Sequence, residues 1–100
     1  MRRIDITDVT ALARHLATLP ASERMGAALN VLLDCEEADR YRLSCGNAHP
    51  EFGTGSIMAR VGRLPRIAEI ALDDLDHLDA MDRAIGAIRA HVRQTKKDAA

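Results

Sequence analysis

Aromatic residues are almost missing from this chain, which has one Tyr, one Phe and no Trp in 100 residues. Strands favour aromatic and β-branched side chains, so the shortage argues against a sheet, and the wealth of Ala and Leu argues for helices. Cysteine is scarce as well. Cys35 and Cys45 are too few for a disulfide scaffold. On one straight helix they lie about 15 Å apart, beyond disulfide reach, so both are expected as free thiols in a cytoplasmic protein. No apolar run approaches the roughly 18 residues of a membrane span. Nor does an apolar signal segment follow Met1-Arg2-Arg3-Ile4-Asp5. Net charge is lacking too. Fourteen basic and fifteen acidic residues leave −1, whereas a general nucleic-acid binder is usually basic.

What is present is aliphatic and helix-patterned. The length suits one domain over residues 1–100 with a single modest core. The charges are blocked by sign. Residues 25–39 carry four acids and no base, and residues 40–66 carry five arginines against one Glu. Residues 67–88 carry six acids and one Arg, and residues 89–100 four bases and one Asp. Neighbouring blocks of opposite sign either pair within the fold or present a divided surface to a charged partner; the internal reading is favoured.

The spacing predicts four helices. Helix one runs from about Asp8 to Thr18, capped by Thr7 or Asp8, with Val9, Leu12, Ala13, Leu16 and Ala17 on one stripe. Leu19-Pro20 stops it. Helix two runs from Pro20–Ser22 to about Leu43 or Ser44, with Met25, Ala28, Leu29, Leu32 and Leu33 as its apolar face. That face turns polar at Glu36 and Arg40. Gly46-Asn47 ends it by left-handed capping. Helix three is short, about Ser56 to Val61, with Ser56 as N-cap. Residues 63–72 read as a connector that lays apolar residues on the core. Helix four runs from about Asp74 to Gln94, with a frayed tail over 95–100. Leu78, Met81, Ile85, Ile88 and Val92 give it a heptad seam. Gly86 interrupts that helix, a cost that close helix contact offsets.

The expected fold is therefore all-α: a compact bundle of about four helices, two long and two short, with a Gly-rich loop between helices two and three. Helices two and four are expected antiparallel, with helix one across them. The expected core is Leu12, Leu16, Leu29, Leu32, Leu33, Ile57, Leu78, Ile85 and Ile88.

The conspicuous break in the helical pattern is the stretch from Gly46 to Ser56, which holds three of the six glycines and the only Phe. Loops carry function more often than the elements they join, so the candidate binding residues centre here: His49, Phe52, Gly53, Gly55 and Ser56, with Glu36, Arg40, Arg60 and Arg63 around them. Glu36 or Asp39 is expected to pair with Arg40, Arg60 or Arg63. Gly53-Thr54-Gly55-Ser56 entering a helix has the logic of an anion site, but the P-loop pattern needs a Lys that is missing. A tight turn with an N-cap is the simpler reading. His49 with Glu51 lacks the ligand spacing of a zinc site and reads as a turn histidine bonded to backbone. Cys45 near His49 lacks an oxyanion hole for nucleophilic catalysis. Arg40, Arg42, Arg60, Arg63 and Arg66 form a possible phosphate-binding patch, with only Tyr41 and Phe52 to stack on bases.

The run Ala38-Asp39-Arg40-Tyr41-Arg42-Leu43, with Gly46, Ala48-His49-Pro50, Phe52-Gly53 and Gly55-Ser56-Ile57-Met58-Ala59, resembles the centre of a family of small bacterial proteins of unknown function. That family has no assigned activity, so the resemblance transfers none. The functional expectation is a non-enzymatic interaction or regulatory module, cytoplasmic, acting on another protein. No catalytic residue, cofactor or metal is expected. A nucleic-acid regulator using Arg40–Arg66 is the alternative, and small-anion binding at 53–56 the third. The seam on helix four is expected to allow a homodimer.

Overall fold

A computed structural model describes residues 3–99 of the chain. The readings of Met1, Arg2 and Ala100 lie outside the described residues. Four helices account for most of it: α1 Ile6–Leu16, α2 Ala21–Cys45, α3 Ile57–Val61 and α4 Leu75–Ala99. Among the described residues there is no strand, only one isolated bridge between His49 and Gly53. The all-α expectation holds.

Local chemistry sets the ends. Asp5 caps α1 through a reciprocal box: its carboxylate accepts from the Asp8 N–H at 3.1 Å, and the Asp8 carboxylate accepts from the Asp5 N–H at 3.1 Å. The helix thus starts earlier than Thr7 or Asp8, because Asp8 serves as the third residue of the box and not as the cap. Gly46, at φ 80°, closes α2 with its N–H on Arg42 O at 2.7 Å. Asp74 receives the N–H groups of Asp76 and His77 at the head of α4. The hydrogen bond from the His77 N–H holds the Asp74 carboxyl below the usual carboxylate range. α4 also continues past Gln94, with helix running on to Ala99. Thr95 bonds His91 O at 3.0 Å, Gln94 bonds Asp98 at 2.9 Å, and Lys96 and Lys97 sit where the helix dipole favours cations.

The direction of α4 differs from expectation. Arg24 meets Asp79, and Glu36 meets His91, each pair 55 residues apart in sequence. A constant offset means that α2 and α4 run parallel. Antiparallel neighbours follow from short connections, whereas residues 46–74 form a long crossover that carries the chain back to the start of α2.

Packing is led by small residues. Ala28, Cys35 and Ala38 of α2 and Ala80, Ala84 and Ala87 of α4 are fully buried. The largest fully buried side chains are Leu12, Leu16, Leu32, Ile57 and Val61. Four expected core residues are not in it: Leu29 is 38% exposed, Leu33 62%, Leu78 39% and Ile85 42%. Small residues let two helices approach closely, which leaves Leu29 and Leu33 at the rim of the α2–α4 contact, while Leu78 and Ile85 lie on the outer face of α4. Gly86 does receive a partner, since a Cβ there would lie 3.3 Å from Met25 Cε.

The connector is tied down by α1. Arg14 Nε donates to Ile67 O at 2.8 Å, Ile67 N–H returns to Arg14 O at 3.0 Å, and His15 Nδ1 lies 2.7 Å from Pro65 O. That last contact requires the proton on Nδ1. Leu64 and Ile70 of the connector pack against the core, as expected.

Candidate functional site

The Gly-rich loop folds back on α2 through rings. His49 stacks on Phe52 with centroids 4.5 Å apart and planes 6° from parallel, and Tyr41 meets His49 edge-on at 5.0 Å. The Arg60 guanidinium lies 4.9 Å from the Phe52 centroid on the ring face. His49 Nδ1 accepts the N–H groups of Glu51 and Phe52, both at 3.1 Å. His49 is thus the backbone-bonded turn histidine that the sequence suggested, and its proton belongs on Nε2.

The glycines are required by space. Gly53 has φ 84°, and a Cβ there would stand 3.0 Å from Ala59 Cβ. Gly55 has φ 101° and lies against the Asp39 side chain and Cα. Ser56 caps α3 by accepting from the Ala59 N–H at 3.1 Å. The buried Asp8 carboxylate accepts from the Met58 N–H at 3.2 Å. Two first-turn donors of α3 are therefore already satisfied, by Ser56 and by a carboxylate of this same chain. The loop has the geometry of a turn with an N-cap, and an internal anion stands at the helix start.

The arginines meet acids of α2. Arg60 Nε pairs with Asp34 at 2.8 Å, Arg42 with Asp39 at 2.9 Å, and Arg40 with Glu37 at 2.6 Å. The Arg42 hydrogen bond holds the Asp39 carboxyl below its ordinary value. Arg63 donates to Pro50 O. Pairing within the chain is as expected, but the partners differ. Glu36 meets His91 at 3.0 Å, because the parallel α4 delivers His91 there. Arg60 chooses Asp34, two residues nearer the start of α2 than the predicted Glu36 and five nearer than Asp39.

Between the second half of α2 and the last turns of α4 lies an open cleft of about 540 Å³. Phe52 and Leu33 line it with Asp34, Glu36, Glu37, Arg40, His91 and Asp98. It continues into an apolar hollow of about 290 Å³ formed by Leu29, Leu33, Ala90, His91 and Gln94. Of the expected site residues, the structure brings Glu36, Arg40 and Phe52 into this cleft, with Arg60 on the Phe52 ring. His49, Gly53, Gly55, Ser56 and Arg63 do not line it. Sequence reasoning missed Leu29, Leu33 and His91 as site residues. The signal available was the spacing of small residues, which marks the α2–α4 contact and leaves the leucines beside it.

Burial pushes the Cys35 thiol up to about 12, and Cys45 is exposed at the end of α2. His49 already spends its Nδ1 on the loop. Among the described residues no group of three or more His, Cys, Asp or Glu is placed to hold a metal ion. Iodoacetamide at pH 8 should label the native protein once, at Cys45, and the urea-unfolded protein twice. Native labelling at Cys35 would show that α2 opens locally.

A family model described as a domain of unknown function (DUF7742) matches residues 2–88, and with that much of it matched the chain belongs to this family. Search of curated proteins and of solved structures finds no match. The resemblance seen at the centre of the sequence was thus to an uncharacterised helical family. No helix of the described residues is long and apolar enough to cross a membrane.

Proposed function

We propose that this chain, as a member of that family, is a non-enzymatic, cytoplasmic interaction module. Its α2–α4 cleft receives a segment of another protein that carries apolar and basic side chains. The observation behind this reading is the joined surface of the cleft. Leu29 and Leu33 are exposed at its apolar end, while Asp34, Glu36, Glu37 and Asp98 outnumber Arg40 and His91 at its polar end. An amphipathic helix laid in a groove uses this combination of apolar anchors and complementary charge. A regulatory role belongs to the same proposal. The nucleic-acid reading is weaker, because the Arg40–Glu37 and Arg60–Asp34 pairs leave the cleft with more acids than bases, and a net negative surface repels phosphates.

The test immobilises the wild type, Leu33→Glu and Leu43→Glu, and captures partners from native lysate. Leu43 is 75% exposed and lies outside the cleft. Proteins held by the wild type and by Leu43→Glu, but lost by Leu33→Glu, are the expected result. Equal retention by all three variants overturns it. Salt-dependent retardation of DNA by the pure protein favours the arginine reading instead, and thermal stabilisation by phosphate compounds favours the 53–56 loop.

A further inference from the structure

The seam anticipated on α4 is divided by the fold. Met81 and Ile88 turn inward and pack against the core. Leu78, Ile85 and Val92, one heptad apart, stay on the outer face at 39%, 42% and 38% exposure. Leu75 extends the row with most of its surface in water. Asp82 and Arg89 are interleaved with these residues and exposed. Together, Leu75, Leu78, Asp82, Ile85, Arg89, Val92 and Lys96 follow the 3-4 spacing of a coiled-coil seam with charges at alternate positions. This face is distinct from the cleft, which the opposite side of α4 lines with Ala90 and Gln94.

We infer that a second copy of this chain docks on this face, α4 against α4, antiparallel about a two-fold axis between Ile85 and Gly86. Charge decides the occupant and the direction. Antiparallel pairing sets Asp82 of each copy against Arg89 of the other and brings Leu78 beside Val92. Leu75 then lies along the stem of Lys96, an apolar contact such a side chain makes readily. Parallel pairing sets Asp82 on Asp82 and Arg89 on Arg89. Among the described residues neither Asp82 nor Arg89 has an ion-pair partner within its own chain. The arrangement is isologous, as a closed dimer requires. One helix pair buries less than the usual 800 Å² or so per partner, so association in the micromolar range is expected.

Sedimentation equilibrium between roughly 1 and 200 μM tests this, with charge swaps at two exposed positions that carry no fold. The wild type should approach twice 10.9 kDa at the upper end. Asp82→Arg and Arg89→Asp alone should each weaken association about tenfold, since two symmetry-related pairs turn repulsive. The double swap should restore it. A wild type that stays monomeric at 200 μM overturns the inference, and so does a single swap without effect or a double swap that fails to recover. The cleft reading stands or falls separately, because Leu33→Glu should leave this association unchanged.

Discussion

Arg24→Met should destabilise the protein by about 3 kcal/mol or more, making Arg24 the most sensitive charged position in the chain. Arg24 is only 2% exposed. Nε donates to Leu16 O at 3.0 Å and Leu19 O at 3.2 Å, which satisfies carbonyls at the end of α1. Nη1 reaches Asp79 at 2.8 Å and Asp76 O at 3.2 Å, and Nη2 reaches Asp76 at 2.9 Å. One planar fork thus joins the end of α1, the first turn of α2 and the first turns of α4. Burial alone lowers its pKa, but the bonds and charges of Asp79 and Asp76 outweigh that and raise it. Methionine fills the space yet takes the donor from the Leu19 carbonyl, leaves Leu16 O with only the Leu19 N–H, and leaves Asp79 with only the longer contact to Arg83 at 3.4 Å. Asp76 is mostly solvated and loses little. For about 100 residues this corresponds to a fall in Tm of order 15 °C. Arg24→Lys should recover only part of it, because one ammonium cannot span the fork. Arg40→Met, whose pair with Glu37 is exposed on both sides, should cost far less, because water screens the pair. Urea unfolding of the three variants decides it; similar losses for Arg24→Met and Arg40→Met would refute the clamp.

Gly55→Ala should cost about 2–4 kcal/mol, and Gly46→Ala only about 1. Both glycines have positive φ, 101° and 80°. Only Gly55 is also confined, since a Cβ there would meet Asp39 Oδ1, Cβ and Cα at 3.2, 3.3 and 3.4 Å. The Cα belongs to α2 and cannot step aside without moving the helix, so overpacking adds to the strained backbone. At Gly46 nothing lies within 4 Å. The difference between the two variants in thermal or urea unfolding separates packing from backbone strain. Equal losses would mean that the loop does not press on α2.

Much of the site's scaffold was readable from the sequence. Ser56 as N-cap, Gly46 as left-handed cap and His49 as a backbone-bonded turn residue all depend on atoms within a few positions of each other. The pairing of arginines from 40–63 with nearby acids was readable for the same reason, though Arg60 reached back 26 residues to Asp34. The cleft was not readable. Apolar side-chain area ranks Leu29 and Leu33 above Ala28, Val31 and Cys35 as core residues, and only the neighbour's surface reverses that ranking.

By itself, then, the sequence determined helix content, helix ends and the turn, because propensity and capping act over one or two turns of chain. The tertiary structure alone decided the parallel course of α2 and α4, which comes from a crossover whose path no local pattern encodes. It also decided what that course brings together: His91 beside Glu36, and Arg24 beside Asp76 and Asp79, 52 to 55 residues away. It also left Leu29 and Leu33 exposed beside the α2–α4 contact, and Leu78 and Ile85 exposed on the opposite, outer face of α4, because which side of a helix meets a neighbour is set by the fold and not by the helix.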